Sequence, residues 1–290
     1  MNSEPSQSLS KVTKNILNQY GIKLNKNLGQ NYLIDKNKRD QIINFANLSK
    51  EDTVLEIGTG IGTLTIELAK RAGKVIAIEQ DSNIAEILQQ RLEDENIDNV
   101  ELINDDALNV DFPKFNKIVS NLPYQISSPI TFKFLDYDFD LAILMYQKEF
   151  ADRMNGEVGS KNYSRLSAML YFKCNVETLT NVSAESFIPK PKIDSTVIKM
   201  TPKENKISDD DFKIYSNFTK ALFQHRNKKI KNALIDSRHI ISNIDKKILK
   251  KRLNGIEDDE LNEYLSKRVV ELTPEEILFL SKKLNPIFNE

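Results

Sequence analysis

Thr53-Val54-Leu55-Glu56-Ile57-Gly58-Thr59-Gly60-Ile61-Gly62 is an apolar, partly β-branched run that breaks into glycine at every second position. The run reads as a buried strand, and the glycines as a tight turn that lets bare backbone approach something else. A helix over Leu64–Ala72, closed by Gly73, and a second strand at Lys74–Glu79 follow. A helix from Ser82 to about Glu93 comes next, then strands at Val100–Asn104 and before Asn121. Pro129 is placed as a first-turn proline opening a helix through Leu135, and Leu141–Tyr146 makes a further strand. Strands alternating with helices imply an α/β fold, a doubly wound and mostly parallel sheet covered on both faces. Ligands of such sheets bind outside the carboxyl ends of the strands. Glu56–Gly62, Glu79, Asp106 and Asn121 all fall at those ends.

The glycine spacing narrows the ligand. A pyrophosphate loop wants G-x-G-x-x-G, and here the third position after Gly60 is Thr63. The pattern is G-x-G-x-G with Glu56 before it, which suits a nucleoside cofactor without a pyrophosphate. Backbone would approach an amino-acid moiety while an acid holds a ribose, and Glu79 is placed as a hydroxyl acceptor. This spacing disfavours a nicotinamide dehydrogenase.

Lys117-Ile118-Val119-Ser120 leads into Asn121-Leu122-Pro123-Tyr124. Pro123 supplies no N–H and holds Leu122 extended, presenting its carbonyl. Asn121 adds a side-chain oxygen and Tyr124 a flat ring that can lie on a base. Two acceptors and an aromatic face suit methylation of an exocyclic base amine, because acceptors holding the amine hydrogens favour a pyramidal nitrogen with its lone pair exposed. Taken alone, the same four residues read as a proline-tyrosine turn at a strand end, and only the rest of the chain turns the reading toward chemistry.

Leu9–Tyr20 has helical spacing and stops at Gly21, whereas Met1–Ser10 is polar and reads as a tail without fixed structure. Gln30 and Asn31 bring amide groups to the loop before a helix starting near Asp35; the alternative is an ordinary polar loop. Beyond Phe150 the expectation is a helix over Tyr163–Phe172 and strands at Asn175–Asn181 and Ser195–Met200 flanking the loop Phe187–Lys192. From Ser208 everything reads helical, and Thr273-Pro274-Glu275-Glu276 carries a cap, a first-turn proline and a capping-box glutamate. The domains expected are an N-terminal tail and helix over 1–20, the α/β domain over 21–203 and a smaller helical domain over 204–290.

Composition excludes more than it assigns. Lys and Arg number 41 against 42 Asp and Glu, so only local clusters can speak for nucleic acid. One cysteine, Cys174, excludes an intramolecular disulfide framework, and two histidines give little basis for a metal site, so no metal is expected. There is no long apolar segment and no signal peptide, which reads as a cytoplasmic protein without a membrane partner.

As a set, these motifs resemble the S-adenosylmethionine-dependent ribosomal RNA adenine dimethyltransferase family over roughly Leu28–Leu234, a Rossmann-like fold. Leu28-Gly29-Gln30-Asn31-Tyr32-Leu33, the Glu56–Gly62 turn, Glu79, Asp105-Asp106-Ala107, Asn121–Tyr124 and Gln147-Lys148-Glu149 carry it in the first half. Tyr163–Ser167, Pro189–Ser195 and Phe223-Gln224-His225-Arg226 through Asn232-Ala233-Leu234 carry it in the second. The resemblance implies that Gln30, Asn31, Leu33, Gly58, Gly60, Glu79, Asp106 and Asn121 bind S-adenosyl-L-methionine, with Asp106 near the adenine amine. It implies that Asn121, Leu122, Pro123 and Tyr124 form the catalytic loop, with Tyr124 against the target base and Phe187 closing the opposite face. It further implies dimethylation of adenosine N6, on two adjacent residues near the 3′ end of small-subunit ribosomal RNA, within a pre-small-subunit particle, by a monomer. Two positions depart from the family's usual pattern: Tyr32 stands where phenylalanine is common, and Asn227 interrupts a run that is more basic elsewhere.

Lys190 and Lys192 beside the Phe187 loop, and His225, Arg226, Lys228 and Lys229, are the candidate RNA contacts. A solvated helix face is the plain alternative for such runs. Runner-up functions are a large-subunit enzyme of the antibiotic-resistance type and a non-catalytic small-subunit assembly factor. A DNA adenine methyltransferase is disfavoured for want of a separate base-reading module.

Overall fold

The fold is that of a computed structural model, in which residues 8–22, 31–204 and 207–289 are described. The tail over 1–7, the amide Gln30 and the residues Leu28 and Gly29 lie outside the described residues. Two compact units make up the chain. The first takes residues 1–151 and 176–202, the second 152–175 and 203–290.

In the first unit, α1 (Leu9–Gln19) begins where Ser8 accepts from the Lys11 N–H. Ser8–Ser10 therefore belong to the helix rather than to a tail. The short β1 (Tyr32–Leu33) leads to α2 (Lys36–Phe45), capped by Asp35 as it accepts from the Lys38 N–H at 3.1 Å. Then β2 (Thr53–Ile57), α3 (Thr65–Arg71), β3 (Lys74–Glu79), α4 (Ser82–Asp94) and β4 (Val100–Asn104) alternate. Next come β5 (Lys117–Asn121), α5 (Ser127–Phe134) and β6 (Leu141–Gln147), followed by α6 (Lys148–Met154). Pro129 sits at the third residue of α5, still among the positions whose N–H has no intrahelical partner.

After α7 (Arg165–Tyr171), β7 (Cys174–Val182), β8 (Phe187–Ile188) and β9 (Ser195–Pro202) complete the strands. Seven strands form one sheet in the order β4-β3-β2-β5-β6-β9-β7, and β1 pairs with β8 in a separate two-stranded ribbon. The ladders from β4 to β6 are parallel, whereas β9 runs antiparallel to β6. The sheet is thus Rossmann-like and mostly parallel. The strand order steps outward from β2 in both directions, so β2 and β5 border the crevice at the switch point.

The central strands are near-continuous apolar runs because both faces are covered. Val54, Val75, Ala77, Val119, Ile143 and Val197 share one core with Leu33 and Leu68. Full burial of each Val, Leu or Ile side chain stabilises by about 1.5–3 kcal/mol. At the opposite end from the site, Lys117 Nζ pairs with Asp52 at 3.0 Å, and Asn116 donates to the same carboxylate at 2.9 Å. These contacts pin the strand starts.

The second unit is helical: α7 packs against α8 (Asp209–Phe223) and α12 (Pro274–Asn289), with α9 (Ile230–Asp236), α10 (Lys246–Asn254) and α11 (Asp259–Ser266) around them. Segment 152–175 is held there by two buried phenols. Tyr163 Oη donates to the Leu272 carbonyl at 2.8 Å, and Tyr215 Oη to the Ala168 carbonyl at 2.7 Å. The start of α12 is a capping box: Thr273 N–H donates to Glu276 at 2.8 Å and Glu276 N–H to Thr273 Oγ1 at 3.2 Å.

Candidate active site

The glycine turn after β2 opens a cavity of about 250 Å³. Gly58 has φ +70° and Gly60 φ +54°, conformations that cost a side chain about 1–2 kcal/mol. Space forbids one as well: a Cβ on Gly60 would meet the Tyr32 ring at 2.8 Å. The Gly58 N–H donates to the Ile78 carbonyl at 2.8 Å, which carries the β2–β3 ladder one residue into the turn.

Glu79, at the end of β3, is 8% exposed. Its Oε2 accepts from the Gly60 N–H at 2.9 Å and its Oε1 from the Asp81 N–H at 3.0 Å. Burial pushes its pKa up, against those two N–H groups, and the Asp81 charge adds to the rise. The carboxylate is aimed by backbone and keeps lone pairs for a second donor on each oxygen.

Glu56 is 1% exposed, and its Oε2 has no partner among the described residues. Burial pushes its pKa up to about 8 against the opposing pull of the Thr65 hydroxyl, and the Glu79 charge adds a smaller rise. An orphaned carboxyl on the wall of a cavity is a receptor for a cation. The α-ammonium of S-adenosyl-L-methionine is such a cation and its ribose is such a pair of donors, so the residues present fit that cofactor.

At the end of β4, Asp106 Oδ1 accepts from the Leu108 N–H at 2.9 Å, and the Asp106 N–H donates to Asp105 at 2.7 Å. At the end of β5, Asn121 Nδ2 donates to the Asn31 carbonyl at 3.1 Å. The amide nitrogen is spent holding the stretch before β1, so Oδ1 is the atom left to accept from an occupant. Leu122 buries its side chain, and Pro123 lies against Gly58. Tyr124, half-buried, shares a hydrogen bond of 2.8 Å between its Oη and Ser195 Oγ.

Asn31, Leu33, Gly58, Gly60, Glu79, Asp106, Asn121, Leu122, Pro123 and Tyr124 therefore converge on one cavity. Phe187 does not line it. Phe187 is 2% exposed, pairs with Leu33 across the β1–β8 ribbon and packs into the core with Val182 and Val197. Three residues with no assigned role complete the site. Glu56 was visible only as the residue before a glycine turn and Tyr32 only as a departure from phenylalanine. Ser195 closes the Pro189–Ser195 motif, but it is 71 residues from Tyr124 and nothing local pairs the two.

The candidate RNA contacts fall in different environments. Lys190 is exposed and paired with Glu185, and Lys192 is exposed. Lys228 pairs with Asp236 at 2.9 Å, and Lys229 and half-buried His225 follow the end of α8. Surface pairs of this kind are worth little and exchange readily for a phosphate. Arg226 is differently used: its Nη1 and Nη2 donate to the carbonyls of Lys161 and Ser160 at 2.9 and 3.1 Å. No group of three or more metal-ligating side chains occurs among the described residues. No helix among them is long and apolar enough to cross a membrane.

A mostly parallel sheet, a glycine turn without pyrophosphate spacing, an acid after the neighbouring strand and an acceptor loop at the switch point together define a nucleoside-cofactor methyltransferase. The family model for ribosomal RNA adenine dimethylase matches residues 21–272. This chain belongs to that family, whose members are S-adenosylmethionine-dependent. A relative in Methanosphaera stadtmanae, a probable ribosomal RNA small subunit methyltransferase A, is 52% identical over 93% of this chain and 96% of its own. One of the same description in Methanothermobacter thermautotrophicus is 46% identical over 95% and 96%. Among solved structures, a dimethyladenosine transferase from Plasmodium falciparum is similar at a TM-score of 0.72 and 32% identity, over 87% of this chain and 97% of that one. The 23S rRNA methyltransferase ErmE is similar at 0.63 and 26%, over 87% and 99%.

Proposed function

We propose that this protein transfers methyl groups from S-adenosyl-L-methionine to N6 of two adjacent adenosines near the 3′ end of small-subunit ribosomal RNA, dimethylating each during ribosome biogenesis. The observation that carries the reading is the Asn121 side chain on the cavity wall, whose Nδ2 donates to the Asn31 carbonyl at 3.1 Å and so leaves Oδ1 as its acceptor for an occupant. Relatives at 52% and 46% identity named as small-subunit enzymes favour that substrate over the large-subunit one of ErmE, at 26%.

The bound cofactor supplies a methyl group on a sulfonium, already a good leaving group. The chain has only to position and align. Glu79 receives the ribose hydroxyls, Asp106 the adenine amine and Glu56 the ammonium. Asn121 Oδ1 and the Leu122 carbonyl accept the two hydrogens of the target amine and leave its lone pair facing the methyl. Tyr124 lies on the base, which must leave its stack or come from a single-stranded loop. The N6–CH3 bond forms as the S–CH3 bond breaks, and the methylated nitrogen, now cationic and strongly acidic, sheds one proton to water. No strong general base is needed, and a neutral amide at position 121 suits that. Glu149, in the first turn of α6, is structural on this reading.

Lys190, Lys192, His225, Lys228 and Lys229 contact phosphates, and Arg226 acts mainly by shaping the second unit. Phe187 reaches the base only if the β1–β8 ribbon adjusts when RNA binds. The protein works as a monomer in the cytoplasm, where the precursor particle is assembled. Incubation with labelled S-adenosyl-L-methionine and, separately, unmethylated small-subunit particles, large-subunit RNA and DNA tests the substrate. Label confined to the small-subunit sample supports the reading. Label in large-subunit RNA alone selects the resistance-type enzyme, and none anywhere, with cofactor bound, selects an assembly factor.

A further inference from the structure

Tyr32 carries a hydroxyl that nothing among the described residues uses. The ring is 5% exposed and packs with Leu17, Ile61, Ile84 and Ile87, against the backbone of Gly60. The hydroxyl itself is buried and has no hydrogen-bond partner among the described residues. A phenylalanine would fill the same apolar space without stranding a polar atom, so the hydroxyl is a cost to the empty protein.

Its surroundings say what would repay that cost. Tyr32 lines the same cavity as Glu79, and the charges of Glu79 and Asp81, after burial itself, push the phenol far above the usual tyrosine range. The group therefore stays protonated and is offered as a donor. Glu79 is the complementary half, an acceptor whose two oxygens each hold one backbone N–H and have room for one more hydrogen. An occupant that satisfies both must donate to the carboxylate and accept from the phenol. A hydroxyl does both with one atom; an ammonium, a conjugated base amine or an aliphatic carbon does not.

Building on the cofactor reading above, we infer that the Tyr32 hydroxyl donates to a ribose hydroxyl oxygen of the bound nucleoside, completing a Tyr32–ribose–Glu79 chain that selects ribose over deoxyribose. Tyr32 is then a specificity-determining contact of this chain, separate from the adenine and methionine contacts.

The test is Tyr32→Phe, read by calorimetric titration with S-adenosylhomocysteine and its 2′-deoxy and 3′-deoxy analogues, beside the melting temperature without cofactor. The expected result is binding of the ribose compound weakened about 5- to 20-fold. One of the two deoxy analogues should bind wild type and variant alike, since the partner of the phenol is already gone. The melting temperature without cofactor should be unchanged or higher, because an unsatisfied group has been removed. A merely structural tyrosine gives the opposite pattern, a lower melting temperature with equal binding, and would overturn the inference. Equal losses with all three compounds would overturn it too, as would no loss, which leaves the hydroxyl to a water molecule. Failure of wild type to bind S-adenosylhomocysteine at all would remove the cofactor reading and the inference with it.

Discussion

A Cβ placed on Gly58 would lie 2.7 Å from Cγ of Pro123. The glycine turn after β2 and the Asn121–Tyr124 loop after β5 are packed together through the one residue type that leaves room. That contact sets how far the Asn121 acceptor stands from whatever the turn holds. Gly58 also has φ +70°.

Gly58→Ala therefore meets two penalties, about 1–2 kcal/mol for the left-handed backbone and about 1–3 kcal/mol for the overlap with the proline ring. Cofactor affinity should fall at least about tenfold, with a melting temperature lowered by a few degrees. Titration calorimetry and a thermal melt read both.

Asn121→Ala removes the acceptor and the tie to the Asn31 carbonyl together. Methyl transfer should drop by about 10²–10³ or more, the size of losing one preorganised group at a reacting centre. Cofactor binding should remain measurable, weakened only through the loosened Asn31 stretch. Single-turnover transfer beside equilibrium binding separates the two, and normal turnover would sink the role assigned to Asn121.

Ser195 is a positioning residue for Tyr124, through the hydrogen bond at 2.8 Å. Ser195→Ala should lower kcat with substrate RNA about 5- to 10-fold, a loss of roughly one hydrogen bond's worth of alignment, and leave cofactor affinity unchanged. Tyr124→Phe should do the same, and the double variant should be no worse than either single one. Ser195→Thr, which restores the hydroxyl, should recover activity; additive losses would show that the two act separately.

Glu56 makes cofactor binding proton-linked. Its pKa in the empty protein is about 8, against 4.5 for an ordinary glutamate. A carboxyl raised on folding contributes stability that is fully present below pH 4.5 and is lost as pH rises through 8. The empty protein should therefore lose stability across that interval, and Glu56→Gln should flatten the loss. At pH 7 the group is protonated when the site is empty, and an ammonium beside it favours the carboxylate. Cofactor binding should release close to one proton, read as a dependence of the binding enthalpy on the ionisation heat of the buffer. A buffer-independent enthalpy would contradict the placement of the ammonium at Glu56.

Much of this site was legible because its signals are local. The strands Thr53–Ile57, Lys74–Glu79 and Val100–Asn104 are continuous apolar runs bounded by breakers, and they occupy those residues. Glu79, Asp106 and Asn121 follow from where the strands end, since a parallel sheet gathers its strand ends on one edge. Long-range geometry was not legible. Ser195 and Tyr124 meet only because β9 enters the sheet antiparallel beside β6. Segment 152–175 joins the helical unit through the hydroxyls of Tyr163 and Tyr215, which no periodicity reveals. Arg226 reads as one more basic residue in a basic run, and only its two carbonyl partners show that its charge is turned inward.

The most direct test of the account is nucleoside mass spectrometry of small-subunit RNA recovered after incubating unmethylated particles with wild-type protein and S-adenosyl-L-methionine. N6,N6-dimethyladenosine at two adjacent positions near the 3′ end, absent with Asn121→Ala, is the result expected. Methylation at another atom or base, or an unchanged yield with Asn121→Ala, would contradict the claim that the loop after β5 delivers an adenine amine to the cofactor.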